Sequence, residues 1–95
     1  MLEVVVWVEE ASGGWSAKVR VVEGRGESSH EITMDRETYK QLAKGLIPPE
    51  ECFRRAFEFL LARESKESIL GKFDITEISR YFPEFEEEFH RGLSK

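Results

Sequence analysis

The chain opens on an alternation of apolar and polar positions. In residues 2–9, LEVVVWVE, one face carries Leu2, Val4, Val6 and Val8 and the other carries Glu3, Val5, Trp7 and Glu9. A period of two, rich in β-branched residues, predicts a strand. Gly13-Gly14 can supply the positive φ of a tight hairpin turn. WSAKVRVVE, about residues 15–23, then reads as the returning strand. With Gly13 and Gly14 as the two turn residues, Val8 faces Val19 and Val6 faces Val21. On the other face Glu9 meets Lys18 and Trp7 meets Arg20, an opposite-charge pair and a cation–π pair. A one-residue slip would set valines against Lys18 and Arg20, so the pattern disfavours it. GRG at 24–26 marks a second turn, and about residues 28–34 form a third strand. His30, Ile32 and Met34 take its core face, and Ser29, Glu31 and Thr33 its outer face. The first 34 residues therefore predict a three-stranded antiparallel meander with one apolar face.

The period then changes to that of a helix. Asp35 is a suitable N-cap, and Tyr39, Leu42, Ala43 and Leu46 follow at i, i+3, i+4 and i+7, with Gly45 suited to the C-terminal cap. Pro48-Pro49-Glu50-Glu51 opens a second helix, about 49–64, with proline and acids in its first turn. At about 100° per residue, Cys52, Phe53, Ala56, Phe57, Phe59, Leu60 and Leu61 cover roughly 200° of its circumference. A helix resting on one sheet needs a stripe of about 100° or somewhat more. This helix wants two partners: the sheet, and either the C-terminal tail or another chain.

Residues 66–68, KES, form a polar break. Asp74 with Glu77 makes a capping box for a short helix at about 75–82. Pro83 suits the first turn of a last helix at about 83–92. There Phe82, Phe85, Phe89 and Leu93 share one face, while Glu84, Glu87, Glu88 and Arg91 look away. The expected fold is α+β: a three-stranded antiparallel meander (1–34), two main helices (35–65) and a short acidic-aromatic helical tail (66–95), all in the single domain that 95 residues support.

Charge sharpens this picture. The net charge is −5, and residues 74–89 hold six acids (Asp74, Glu77, Glu84, Glu86, Glu87 and Glu88) against Arg80 alone. That stretch carries the whole surplus, so the chain is a neutral body with an acidic tail. Such a balance makes nucleic acid an improbable partner and suggests a basic protein for the tail. One cysteine permits no internal disulfide, and no run of about 20 apolar residues is present, so a cytoplasmic chain with no membrane partner is expected.

Little in the sequence suggests catalysis. Cys52 is flanked by Glu50 and Glu51, which disfavour a thiolate, although it lies near a helix N-terminus; it reads as core filler. His30 and His90 lack the spacing of a zinc site, and no other metal or cofactor is called for. His30 reads as a half-buried packing residue and His90 as an exposed helix residue. The glycines match no phosphate loop. Arg54 and Arg55 read as a solvated face paired to Glu50 and Glu51 at i, i+4. Trp7 and Trp15 could stack a ligand, but hairpin packing accounts for them more simply.

Residues 31–64, EITMDRETYKQLAKGLIPPEECFRRAFEFLLARE, resemble a ribbon-helix-helix segment. That resemblance implies a homodimer, with the strand laid in the DNA major groove, and an antitoxin-like regulator. The first helix here is short, the outward strand residues include Glu31, and a preceding hairpin would occupy the strand. Residues 57–85 are similar to the C-terminal half of a group of small uncharacterised bacterial proteins, through Phe59 to Glu64, Ser68 to Leu70, Phe73-Asp74 and Tyr81 to Glu84. That second resemblance implies no activity. The leading expectation is a non-enzymatic interaction or regulatory protein acting as a homodimer through its helical face, with Phe57, Leu61, Tyr81, Phe82, Phe85 and Phe89 as contact residues. The alternative is the ribbon-helix-helix-like DNA binder, its tail covering a basic partner.

Overall fold

The computed structural model describes residues 2–93. Three antiparallel strands, β1 (Leu2–Ala11), β2 (Gly14–Glu23) and β3 (Gly26–Asp35), lead into helices α1 (Arg36–Ala43) and α2 (Pro49–Leu61). A single 3-10 turn (Lys66–Ser68), a short strand β4 (Lys72–Asp74) and two short helices, α3 (Glu77–Tyr81) and α4 (Phe85–Leu93), complete the chain. The sheet order is β1-β2-β3-β4, with β4 parallel to β3. The architecture is therefore α+β with a four-stranded mixed sheet, not a three-stranded one.

The expected faces are correct and the expected register is shifted by two. Val6 pairs with Val19, Val4 with Val21, and Ala11 with Gly14, so the turn residues are Ser12 and Gly13. Trp7 lies opposite Lys18, and Glu9 opposite Ser16. A two-residue shift keeps every side chain on its face, which is why alternation alone cannot detect it. The two glycines have different tasks. Gly13 adopts φ +79° in the turn. Gly14 belongs to β2, where a Cβ would stand 2.2 Å from the Met34 carbonyl oxygen. It is needed for close approach to β3, not for the turn.

Ala17, Val19, Val21, His30, Ile32 and Met34 are buried on the inner face, whereas Val4, Val6 and Val8 on the edge strand are only half-buried. The Asp35 carboxylate accepts from the Thr38 backbone N–H at 2.7 Å, and these Thr38 hydrogen bonds hold its pKa below the usual carboxylate range. Helix α1 stops at Ala43, with Lys44 and Gly45 both left-handed. Leu46 therefore lies outside the helix, 65% exposed, and Ile47 packs against the core instead. The Tyr39 hydroxyl fixes that turn by donating to the Ile47 carbonyl.

Strand β4 was not expected. It forms because β3 offers a free edge: Glu31 N–H donates to Gly71 O and Ile75 N–H to Thr33 O, each at 2.8 Å. Asp74 consequently does not cap α3. Its carboxylate accepts from the Thr33 hydroxyl and from the backbone N–H and hydroxyl of Thr76, so it closes a turn beside the sheet. With β2 on one side and β4 on the other, β3 is an interior strand. The dimeric strand pairing implied by the ribbon-helix-helix resemblance has no open edge there. The remaining boundary differences are small: α2 ends at Leu61, and α4 begins at Phe85 with Pro83 in the preceding turn.

Candidate functional site

The second partner that α2 requires is the tail of the same chain. Phe59, on the side of α2 away from the sheet, packs edge-on against Phe85 at 5.0 Å and Phe82 at 5.8 Å, and Phe85 packs against Phe89 at 5.7 Å. Phe57 turns the other way, under the sheet, against His30 at 5.2 Å and Phe73 at 6.0 Å. Of the expected contact residues, Phe57, Phe85 and Phe89 are buried in this chain, Leu61 and Phe82 are half-buried, and Tyr81 is 67% exposed. The six are thus split between two sides of α2. Only Tyr81 and parts of Leu61 and Phe82 present surface to a second molecule.

His30 is more than a packing residue. The Leu70 carbonyl can only accept, so the His30 Nδ1 carries a proton and donates to it at 2.8 Å; Nε2 is 2.8 Å from the Ser28 hydroxyl. This bond draws the Ile69-Leu70 segment onto β3 just before β4 begins. Ile69 turns inward and is buried, and Leu70 turns outward, 51% exposed. His90 similarly donates from Nε2 to the Gln41 carbonyl and ties α4 to α1.

Pinning Leu70 beside α3 opens a cleft of about 210 Å³ at the C-terminal end of α2. Leu60, Ile69, Phe73 and Ile78 supply its apolar floor, with Leu70 and Tyr81 exposed at its mouth. Glu64 and Glu77 add two carboxylates. Glu77 is paired with Arg80 at 3.4 Å, whereas Glu64 makes no ion pair among the described residues. Leu70 and Glu64 escaped the sequence reading because neither obeys a period. The available signal was the apolar Ile-Leu pair beside a polar break, where one side chain must face out.

The acidic tail is less bare than its sequence. Two arginines from outside residues 74–89 fold back onto it: Arg63 lies 3.5 Å from Glu84, and Arg91 pairs with both Glu87 and Glu88. Arg63 also stacks over the Phe59 ring at 3.7 Å. These pairs are exposed and add little stability, but they localise the field. Of the two carboxylates that line the cleft, Glu64 is the one with no ion pair among the described residues.

Other charged groups serve the scaffold. Arg55 pairs with Glu51 at 3.0 Å as expected, but Arg54 reaches Glu51 at 3.9 Å and donates to the Val4 carbonyl at 2.6 Å, covering part of the β1 edge. The Lys66 stem is buried over Gly26, where a Cβ would lie 2.9 Å from Nζ. Its ammonium ends at the surface between Glu67 and Glu23, and the hydrogen bond to Glu67 raises its pKa.

Cys52 is fully buried, and loss of hydration pushes its thiol up to about 12, with the Arg55 charge opposing and the Glu51 charge assisting. At pH 8 the thiolate fraction should be roughly a thousandfold below that of an ordinary cysteine. The folded protein is expected to react with a disulfide reagent only as fast as it opens, and denaturant should release rapid reaction of one thiol. The raised pKa favours the neutral thiol of the folded state. This contribution is intact below the unfolded value near 9 and falls away as pH rises towards 12. Denaturation midpoints measured across that window should decline, and Cys52→Ala should flatten the decline.

Among the described residues, no group of three or more His, Cys, Asp or Glu side chains is arranged to hold a metal ion, and no helix is long and apolar enough to cross a membrane. No family model, curated protein or solved structure matches the chain.

Proposed function

We propose that this is a cytoplasmic, non-enzymatic interaction protein that takes one large apolar side chain of a basic partner segment into the cleft between α2 and α3. The observation that carries this reading is the apolar floor of Leu60, Ile69, Phe73 and Ile78, left open between two exposed hydrophobic residues, Leu70 and Tyr81. Exposed apolar side chains grouped around a concavity are a signature of contact surfaces. The size supports a side chain over a metabolite, because small-molecule pockets run to about 300–1,000 Å³ and this cleft is smaller. Glu64 at the cleft favours a cation next to the inserted group.

Peptides selected from a random-sequence library on the immobilised full chain should share an apolar anchor with a Lys or Arg close by. Leu70→Ala and Tyr81→Ala should each weaken the selected peptides by about tenfold, in line with anchor residues at contact surfaces. Glu64→Gln should remove the preference for the cation and leave the apolar preference intact. Failure to enrich any peptide, or equal binding by the Leu70 and Tyr81 variants, would overturn the reading. If a second copy of this chain occupies the face instead, light scattering will give a doubled mass that Tyr81→Ala reduces.

A further inference from the structure

The helices pack on one face of the sheet and the other face is open, and β1 borders both as a long edge strand paired only with β2. Hydrogen bonding alternates along each strand, so the groups on this edge can be placed. Glu31 N–H and Thr33 C=O are bonded on the β4 side of β3. His30 and Ile32 therefore exchange bonds with Val19 and Ala17 of β2, and Ser16, Lys18 and Arg20 exchange them with Glu9, Trp7 and Val5 of β1. The N–H and C=O groups of Val4, Val6, Val8 and Glu10 point off the sheet. The Val4 carbonyl agrees with this, since it accepts from Arg54 of α2 at 2.6 Å.

The edge lacks the usual protection. β1 is ten residues long, its register is unbroken by a bulge, and it contains neither proline nor lysine. Among the described residues Arg54 covers the Val4 carbonyl alone, and that oxygen keeps a second lone pair. The core is also thin here. Ala17, Val19 and Val21 on the inner face of β2 are at most 3% exposed, whereas Val4, Val6 and Val8 beside them stay half-buried. A further strand with apolar inner residues would complete their burial.

Charge selects that strand. β1 holds Glu3, Glu9 and Glu10 and no base. Glu10 lies 3.8 Å from Arg36, but Glu3 and Glu9, both exposed on the open face, make no ion pair among the described residues. Across the ladder Glu3 meets Val22 and Glu9 meets Ser16. The two cations of β2 have carboxylates elsewhere: Lys18 is opposite Glu31, and Arg20 is 3.8 Å from Glu27. A second copy of β1 would bring the same three acids to the seam, so charge disfavours self-pairing.

We propose that the β1 edge takes an extended basic segment of a partner protein as a fifth strand. Its apolar residues lie against Val4, Val6 and Val8 on the helix side, and a Lys or Arg stands against each of Glu3 and Glu9 on the open side. Main-chain bonds supply the affinity of such strand addition, and the alternating side chains supply its specificity. The order required is basic, apolar, any, apolar, any, apolar, basic, which reads the same in either strand direction. β1 and β4 are opposite edges of the sheet, so this site is separate from the α2–α3 cleft and does not depend on it.

The test uses the full chain and a capped Lys-Val-Thr-Val-Thr-Val-Lys peptide, with amide hydrogen exchange followed by NMR. In the free protein the amides of Val6, Val8 and Glu10 should exchange fast while those of Val5, Trp7 and Glu9 are protected. Millimolar peptide should slow the first set by at least about tenfold. The capped Glu-Val-Thr-Val-Thr-Val-Glu peptide should bind at least about tenfold more weakly. The double variant Glu3→Lys/Glu9→Lys changes only exposed residues; it should keep a folded spectrum and reverse that preference. Leu70→Ala and Tyr81→Ala should leave binding of the lysine peptide unchanged. The proposal is overturned if the lysine peptide leaves the three edge amides fast, if the two peptides bind equally, or if light scattering shows a dimer whose edge amides are already protected.

Discussion

Replacing Phe57 by alanine is expected to destabilise the protein by about 3–5 kcal/mol. Phe57 has no accessible surface, and its ring fills the space between α2, His30 on β3 and Phe73 on β4. Deleting it removes a large apolar transfer term and leaves a cavity that a sheet on one side and a helix on the other cannot readily close. Domains of this size hold roughly 5–15 kcal/mol in total, so the variant should be close to unfolding at room temperature. Urea denaturation followed by circular dichroism measures the loss. A contact-surface role for Phe57 makes the opposite prediction: a stable variant with a changed mass in solution.

Replacing Phe85 by alanine should cost a similar amount, again about 3–5 kcal/mol, by a different route. Phe85 is the wedge between Phe59 of α2 and Phe89 of α4. Without it the edge-on aromatic contacts are lost, and the tail should detach before the sheet melts. Hydrogen exchange should show α3 and α4 unprotected while β2 and β3 remain protected. The same variant tests which helix the tail covers. If it covers its own α2, as in this structure, detachment uncovers Phe59 and the variant should associate while the parent is monomeric. If the tail covers a neighbour, the parent should be the dimer and the variant the smaller species. Light scattering on both proteins separates the outcomes.

Periodicity reports the apolar side of each element, because that information is local. It placed Val4, Val6 and Val8, Val19 and Val21, and Ile32 and Met34 on one sheet face. It also found the Asp35 cap and the aromatic side of the tail. It could not find β4, since three residues are too few to alternate and the strand exists only because β3 has a free edge 41 positions earlier. It also misassigned Gly14, whose constraint comes from the Met34 carbonyl oxygen across the sheet.

The sequence by itself determined an α+β chain with one greasy sheet face, an α2 stripe too wide for one partner, and an acidic, amphipathic tail. Tertiary structure alone decided that the tail closes its own α2, that Arg63 and Arg91 screen the tail acids, and that Leu70 is held open beside α3 by His30. It also decided that Trp15 packs edge-on against Tyr39 beside the core. The physical reason is the same in each case. An apolar face must be covered, but what covers it depends on contacts between residues far apart in the chain. The hydrogen bond from His30 to Leu70 and the stacking of Phe59 on Phe85 are such contacts, and the cleft and the open sheet face are what they leave uncovered.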